Sequence, residues 1–378
     1  MRTVHPAIMI GNYVWDEDRL PRDEFAPRLA ELHRLMDARG WRGMLIHGDA
    51  RAHAALAYYT NFVPRLRWAL ALVPRHGEPR LLISMSSRDM PAMKLMTWIA
   101  DVRSGWDWSG GFDSWLASLG RDDAAEALGT LGLDQISGTL NFAVERSAGN
   151  RVQLHDASPL LPEERPLRPR EVSLMRDACA VVSRADAAVR AAWQDGKGAE
   201  AALLAGERAA RLLAAQDVRT LVSLDGGRTL LPFQGKFAAR TDPLVAYIAV
   251  KASGFWAESF ITVTARPSDV LRRAQAGLAA ALVAAGPDVV SRALYAQVVA
   301  PLGRLPLHPA LSAAVGRRVG LSLDEGGALT ADSAQVMAAG SVYALHVGAI
   351  DAAAGGALVS AMVAITPRGA EVLLPMQG

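Results

Sequence analysis

The chain has 378 residues, which is enough for two domains of ordinary size, and its 51% hydrophobic and 21% charged residues are typical of a folded protein rather than a disordered one. Its 40 Lys and Arg residues nearly balance 38 Asp and Glu residues, and no basic stripe is interleaved with aromatic residues, so we expect no nucleic-acid partner. The single cysteine, Cys179, excludes a disulfide framework within the chain, and its apolar helical surroundings predict a buried, unreactive thiol.

Neither end of the chain predicts a targeting or membrane segment. The first 20 residues contain only a five-residue apolar stretch before polar residues resume, so no signal peptide is expected. The uncharged stretches at 333–350 and 352–367 are interrupted by polar residues and glycines, which is typical of buried strands rather than a membrane span. We therefore expect a cytoplasmic protein with no membrane partner.

Helix-like and strand-like segments alternate in the first part of the chain. Apolar residues at helical spacing predict helices, and short apolar runs between turn residues predict strands. In chain order these are a helix over 25–40 that ends at Gly40, a strand over 43–48, two strands within 67–84, a helix over 91–100 and a strand over 100–106. This mixture predicts an α/β domain.

A proline-rich segment near 154–170 predicts the domain boundary, so we place one domain at 1–160 and a second at 161–378. In the second domain, helices and strands occur in separate runs. Helices are predicted over 170–193, 199–215, 268–285 and 288–300, and strands within 220–227, 244–264, 341–350, 358–366 and 370–374. These runs predict an α+β domain in which helices flank a mostly antiparallel sheet.

Segments along nearly the whole chain resemble those of one protein family. They are LMDARGWRGMLI (35–46), AYYTNF (57–62), RPLRPREVSLMRDACAVVSRADAAV (165–189), GFWAESFITVT (254–264), GRRVGLSLDEGG (316–327), GSVYALHVGAI (340–350) and VAITPRGAEVLL (363–374). Together they are similar to the creatinase/prolidase/aminopeptidase P superfamily. The resemblance implies an α+β fold, with a C-terminal pita-bread domain preceded by a creatinase-like α/β N-terminal domain.

The metal ligands of the family's peptidases are missing from this sequence. Those enzymes hold two divalent metals with two Asp, one His and two Glu, and such ions activate water. The resemblance places these residues at the five positions: Tyr247 (or Ile248 after a one-residue shift), Glu258, Arg317, His346 and, at or near the last, Ser360. One carboxylate and one imidazole remain, and the guanidinium of Arg317 would repel a metal. We therefore reject the dinuclear peptidase mechanism and expect neither a metal nor another cofactor.

Creatinase is the family's precedent for a metal-free site, with a histidine as its acid/base group. The segment LLPFQGK (230–236) resembles the one that carries this histidine, but Phe233 stands in its place. His346 is the candidate replacement, because its strand should face the same cavity. Glu258 interrupts an apolar strand, where a carboxylate is costly unless it is paired or functional. We take Glu258 and His346 as the catalytic pair, with Asp324 as a third candidate because it replaces a second active-site histidine.

Further residues are predicted to bind the substrate. The resemblance places the aromatic side chains of Phe233, Tyr247 and Trp256 in the cavity wall, although core packing is the default role for any one of them. Arg317 is suited to bind a substrate carboxylate, and it could instead form a structural salt bridge with Asp324. The other predicted contacts are Glu325, Arg65 and Arg67. In creatinase-like dimers the region of the last two reaches the partner's active site, so a homodimer is expected.

Two classes of function remain open after the metal is excluded. The first is a metal-independent, creatinase-like enzyme that hydrolyses or eliminates at a C–N bond of a small molecule, with Glu258 and His346 as the acid/base pair. The second is a catalytically inactive relative whose pita-bread cavity became a binding or scaffold module. The retained Glu258 and His346 favour the enzyme, and the loss of both the metal and the creatinase residues favours the scaffold.

Overall fold

The structure, a computed structural model, describes residues 14–376 apart from 121–126, 150–151, 162–164, 236, 238–239 and 267. The chain divides into two compact units, Met1–Glu163 and Glu164–Gly378. No helix in the described part of the chain has the length and apolar character that are needed to cross a bilayer.

The first unit is an α/β domain built on one mixed sheet. Its helices are α1 (Ala26–Arg39), α2 (Ala54–Thr60), α3 (Met90–Met93), α4 (Trp108–Ser118) and α5 (Gly138–Ala148), and its strands are β1 (Gly43–Asp49), β2 (Trp68–Pro74), β3 (Arg80–Ile83), β4 (Asp101–Ser104), β5 (Ala127–Leu131) and β6 (Gln153–Asp156). The strand order is β4-β3-β2-β1-β5-β6, with β1 antiparallel to β2 and parallel to β5. Helix α1 ends where predicted, at Gly40, whose φ of 68° is accessible to glycine at little cost.

The helix predicted over 91–100 is wrong beyond its first turn, because α3 covers only Met90–Met93. The following residues leave the helix to bond to the end of α2. Thr97 Oγ1 donates to the carbonyl of Thr60 at 2.6 Å, and the Trp98 indole donates to the carbonyl of Tyr59 at 3.0 Å. These buried tertiary hydrogen bonds override the apolar spacing on which the prediction was based.

The second unit combines long helices with two antiparallel sheets. Its helices are α6 (Pro169–Gln194), α7 (Ala199–Leu212), α8 (Asp269–Ala284) and α9 (Ser291–Val299), and its strands are β7 (Asp217–Val222), β8 (Leu244–Ala252), β9 (Phe255–Val263), β10 (Gly316–Arg318), β11 (Val342–Asp351), β12 (Gly355–Thr366) and β13 (Gly369–Leu374). The sheet orders are β7-β8-β9 and β10-β11-β12-β13. The α+β architecture predicted for this half is confirmed.

Side-chain hydrogen bonds join the two sheets along β9 and β12. The hydroxyl of Thr262 donates to the carbonyl of Leu358 at 2.7 Å and accepts from the amide of Leu358 at 2.9 Å. The amide of Phe260 donates to Ser360 Oγ at 2.7 Å. Because β8, β9, β11 and β12 are almost entirely buried, these bonds lie inside the unit and fix one register between its sheets.

Candidate functional site

Three polar side chains meet around the carboxylate of Glu258, which is fully buried on β9. Arg317 Nη2 donates to Glu258 Oε2 at 2.7 Å, and the hydroxyl of Tyr247 donates to the same oxygen in a short hydrogen bond. His346 Nε2 lies 2.7 Å from Glu258 Oε1 as an ion-pair contact, although the two groups are not aligned as in a hydrogen bond. We call these four residues the Glu258 cluster.

Strand register explains why the Glu258 cluster forms. Tyr247 on β8 pairs with Phe260 on β9, so Tyr247 and Glu258 project from the same face of their sheet. In the other sheet, Arg317 pairs with Ala344, and two residues further along β11 His346 follows on the same face. The contacts between β9 and β12 bring these two faces together.

Burial and charge act in opposite directions on the ionisation of the Glu258 cluster. Burial alone would raise the pKa of Glu258, but the neighbouring His346, Arg317 and Tyr247 hold that pKa below its ordinary value. Burial and the charge of Glu258 raise the pKa of Tyr247 well above its ordinary value. The pKa of Arg317 is raised by Glu258 despite burial. At neutral pH the cluster therefore contains a carboxylate, a protonated phenol and a guanidinium.

Phe260 belongs to the same site and was missed by sequence reasoning. Its ring centroid lies 4.8 Å from that of Tyr247 and 5.0 Å from that of His346, which it meets edge-on. The Phe260 ring thus packs edge-on with the imidazole of His346 and restrains its orientation. The signal was present in the sequence, because Phe260 follows Glu258 by two residues and a strand places such residues on one face.

Trp256 lies two residues before Glu258 on β9. Its ring is next to a second group of charged side chains. The indole is buried, and its backbone amide donates to the carbonyl of Gly320 at 2.8 Å. The Arg219 guanidinium carbon lies 4.6 Å from the Trp256 ring centroid, and Lys251 Nζ lies 5.9 Å from it. Burial lowers the pKa of Lys251 to about 7. Sequence reasoning missed Arg219 and Lys251, since no pattern marks a strand arginine or lysine as facing a site.

Asp324 and Glu325 lie in the turn that follows β10. Asp324 is exposed; its Oδ1 accepts the amide of Gly326 at 2.9 Å, and its charge contributes to the raised pKa of Arg317. Glu325 is half-buried and accepts the amide of Ser322 at 3.1 Å, and burial raises its pKa. Both carboxylates thus stabilise the turn in which they lie. Their roles in catalysis and substrate binding remain predictions.

The remaining predicted residues lie in exposed loops. Phe233 is 38% exposed, and its ring meets that of Phe237 edge-on at 5.8 Å. Arg65 and Arg67 are exposed in the segment before β2 of the first unit. Their approach to a partner's cavity, and the homodimer itself, stay predictions.

The five positions that the resemblance assigned to the family's metal ligands do not fit a pair of divalent ions. Glu258 and His346 are the only metal-binding types among them, and Arg317 already occupies Glu258 Oε2. Within the described residues, no group of three or more His, Cys, Asp or Glu side chains is placed to hold a metal.

No family model and no curated protein matches the sequence. Solved structures are similar to it over most of their length. Prolidase from Pyrococcus horikoshii OT3 matches with a TM-score of 0.73 at 15% identity, covering 93% of this chain and 99% of that one. X-Pro aminopeptidase from Thermotoga maritima MSB8 matches with a TM-score of 0.73 at 17% identity, covering 92% of this chain and 97% of that one.

Dipeptidase PepE from Mycobacterium ulcerans has a TM-score of 0.69 at 20% identity, over 93% of this chain and 95% of its own. At such identities the likeness shows the fold and not the activity. The chain therefore has the fold of this prolidase, this aminopeptidase and this dipeptidase, the pita-bread fold that its sequence segments predicted.

Proposed function

We propose that the protein is a metal-independent enzyme that cleaves a C–N bond of a small molecule by hydrolysis or elimination, with Glu258 and His346 as its acid/base pair. The observation that carries this proposal is the 2.7 Å contact between His346 Nε2 and Glu258 Oε1. A carboxylate this close to an imidazole can orient the ring, so the two groups are placed to act together. The structural neighbours, named as peptidases and dipeptidases, support a hydrolytic reaction.

The proposed mechanism uses only groups of this chain. With Nε2 directed at Glu258, the Nδ1 atom of His346 accepts a proton from water in hydrolysis, or from carbon in elimination. The same proton then passes to the leaving nitrogen as the C–N bond breaks. The Arg317 side chain, 27% exposed, stabilises the negative charge that develops on the substrate in the transition state.

Replacing Glu258 by Gln tests the acid/base role, because the amide keeps the shape of the side chain and removes its charge. We expect kcat to fall about a hundredfold or more, the scale usual for losing a general acid or base. Release of ammonia or amine from a panel of small amides, amidines and ureas would identify a substrate and then measure the variant.

The matched control is Glu371→Gln, which removes a carboxylate from an exposed ion pair with Arg176 at 2.6 Å in the same unit. This control should keep full activity. A folded Glu258→Gln variant with wild-type turnover would show that Glu258 has only a structural role.

The second prediction concerns metal content. Because the donor set does not suit divalent ions, we expect dialysed protein to retain no stoichiometric Mn, Co, Zn or Fe, as measured by elemental analysis. One or two such ions per chain that resist dialysis would contradict this prediction and the metal-independent mechanism with it.

A binding or scaffold module is the alternative function, and one observation favours it. Both oxygens of Glu258 are already in contact with residues of the chain, and the carboxylate is fully buried. A cluster whose charges are paired in this way can persist for stability alone. Ligand binding without turnover across the whole panel would favour this alternative.

A further inference from the structure

A crevice lies at the edge of the first unit's sheet where strands β1 and β5 end. The two strands are parallel neighbours, so their carboxyl ends lie at the same edge. From this edge the chain leads from β1 to β2 on one side of the pair and from β5 to β6 on the other side. Because the two connections leave in opposite directions, a crevice remains between their loops, and ligands of open α/β sheets bind at such points.

The crevice contains a cavity of about 420 Å³ that is lined by Asp49, Arg51, Ala52 and Gln135. This volume is in the range of small-molecule sites, about 300–1,000 Å³. Asp49 is the last residue of β1, and Gln135 lies in the turn that follows β5. Arg51 and Gln135 are exposed and Asp49 is half-buried, so a molecule can reach all three residues from solvent.

Backbone hydrogen bonds order the loop after β1 around Asp49. Its Oδ1 accepts the amides of Arg51 at 2.7 Å and Ala52 at 2.8 Å, and its own amide donates to the carbonyl of Ala52 at 2.9 Å. Among the described residues, no donor bonds to Asp49 Oδ2 and no side chain pairs with the Arg51 guanidinium or the Gln135 amide. These three polar groups are therefore available to a ligand.

His47 fixes the turn after β5 against β1. Its Nδ1 donates to the carbonyl of Gly132 at 3.1 Å. Gly132 has a φ of 72°, and a Cβ at this position would lie 3.0 Å from the carbonyl oxygen of His47, so the close approach favours glycine. Burial lowers the pKa of His47 despite the charges of Asp49 and Asp134. The imidazole is therefore neutral at pH 7 and adds no positive charge near the cavity.

We propose that this cavity binds a neutral polyhydroxylated molecule, a monosaccharide or the ribose of a nucleoside, through the side chains of Asp49, Arg51 and Gln135. A carboxylate accepts hydrogen bonds, a guanidinium donates them and an amide does both, so the three planar groups suit the hydroxyls of a vicinal diol, which also donate and accept. The charges of Asp49 and Arg51 cancel. Water screens the exposed guanidinium, so the cavity favours a neutral diol over an ion or a zwitterion. This binding is separate from the function proposed for Glu258.

Adenosine and dideoxyadenosine test the inference on the full-length protein, because they differ only in the two hydroxyls of the ribose ring. Titrations followed by saturation-transfer difference NMR should show that dideoxyadenosine binds at least tenfold more weakly than adenosine. D-ribose distinguishes the two sources of the diol. An affinity equal to that of adenosine indicates a free sugar as the ligand, and a weaker affinity indicates a nucleoside.

Two variants assign the binding to this cavity. Asp49→Asn keeps the oxygen that accepts the loop amides and replaces the other oxygen with a donor, so the loop is retained while an acceptor for the diol is lost. This variant and Gln135→Ala should each weaken adenosine binding at least tenfold. The matched control is Gln153→Ala, which removes an exposed glutamine from β6 of the same unit and should bind as the wild type does.

The inference is overturned if neither adenosine nor D-ribose binds, or if dideoxyadenosine binds as tightly as adenosine. Unchanged adenosine affinity in Gln135→Ala and Asp49→Asn would also overturn it, because the diol would then bind elsewhere. Alanine serves as a zwitterionic probe of similar size to part of the sugar. Tighter binding of alanine than of D-ribose would show that the cavity recognises charge rather than hydroxyls, which contradicts the inference.

Discussion

Replacing Arg317 by Met is expected to lower the free energy of unfolding by about 2–4 kcal/mol, because it leaves the fully buried carboxylate of Glu258 without its guanidinium partner. His346 and Tyr247 still contact the carboxylate, which keeps the loss below that of a completely isolated buried charge. Urea denaturation of the wild type and the variant at pH 7 measures the difference.

A double replacement shows whether the loss comes from the uncompensated charge. In Arg317→Met combined with Glu258→Leu, no carboxylate remains to be paired, so stability should return to within about 1 kcal/mol of the wild type. Arg176→Met, which breaks an exposed pair with Glu371, is the control and should cost about 0–1 kcal/mol. If Arg317→Met costs no more than this control, the buried pair does not stabilise the fold.

The opposite result is expected for Lys251, whose replacement by Met should raise the free energy of unfolding by about 2–4 kcal/mol at pH 7. The lysine is fully buried, and burial lowers its pKa from 10.5 to about 7. The charges that act on it are Asp217 and Glu325, which raise its pKa, and Arg219, which lowers it. The effect of burial on the pKa of Lys251 is larger than the effects of these charges. A methionine of similar length fills the same space without a charge.

The stability that Lys251→Met gains over the wild type should change with pH in one direction. Between pH 7 and 10.5 the unfolded lysine keeps its proton and the folded one has lost it, so the wild type becomes more stable as pH rises through this window. The advantage of Lys251→Met should therefore be largest at pH 6 to 7 and shrink towards pH 9. Denaturation at pH 6, 7.5 and 9 checks this, with the exposed Lys197→Met as the control. A gain that is independent of pH would contradict the burial argument.

Arg317 and Lys251 are two cations with opposite expected effects on stability. Arg317 offsets the charge of Glu258, so its burial is matched by a partner at 2.7 Å. Lys251 is expected to lower stability, and its Nζ lies 5.9 Å from the Trp256 ring centroid. A buried group with a strongly shifted pKa beside a site is a candidate for a role in binding or catalysis.

The order of helices and strands could be predicted from the sequence, since it depends on local patterns. Apolar spacing identified the long helices α6 and α8, and alternating or continuous apolar runs identified the strand pairs β8–β9 and β11–β12. The helix predicted over 91–100 failed where Thr97 and Trp98 bond to residues far away in the chain. Local pattern carries no information on such partners.

The family resemblance in the sequence also predicted that Glu258 and His346 share one site and that the family's metal ligands are absent. Only the tertiary structure decided how the charge of Glu258 is balanced, because Arg317 reaches it from β10, 59 residues further along the chain. It also decided that Lys251 and Arg219 face the site. Those contacts depend on register between strands, and a slip of one residue would turn each side chain to the opposite face.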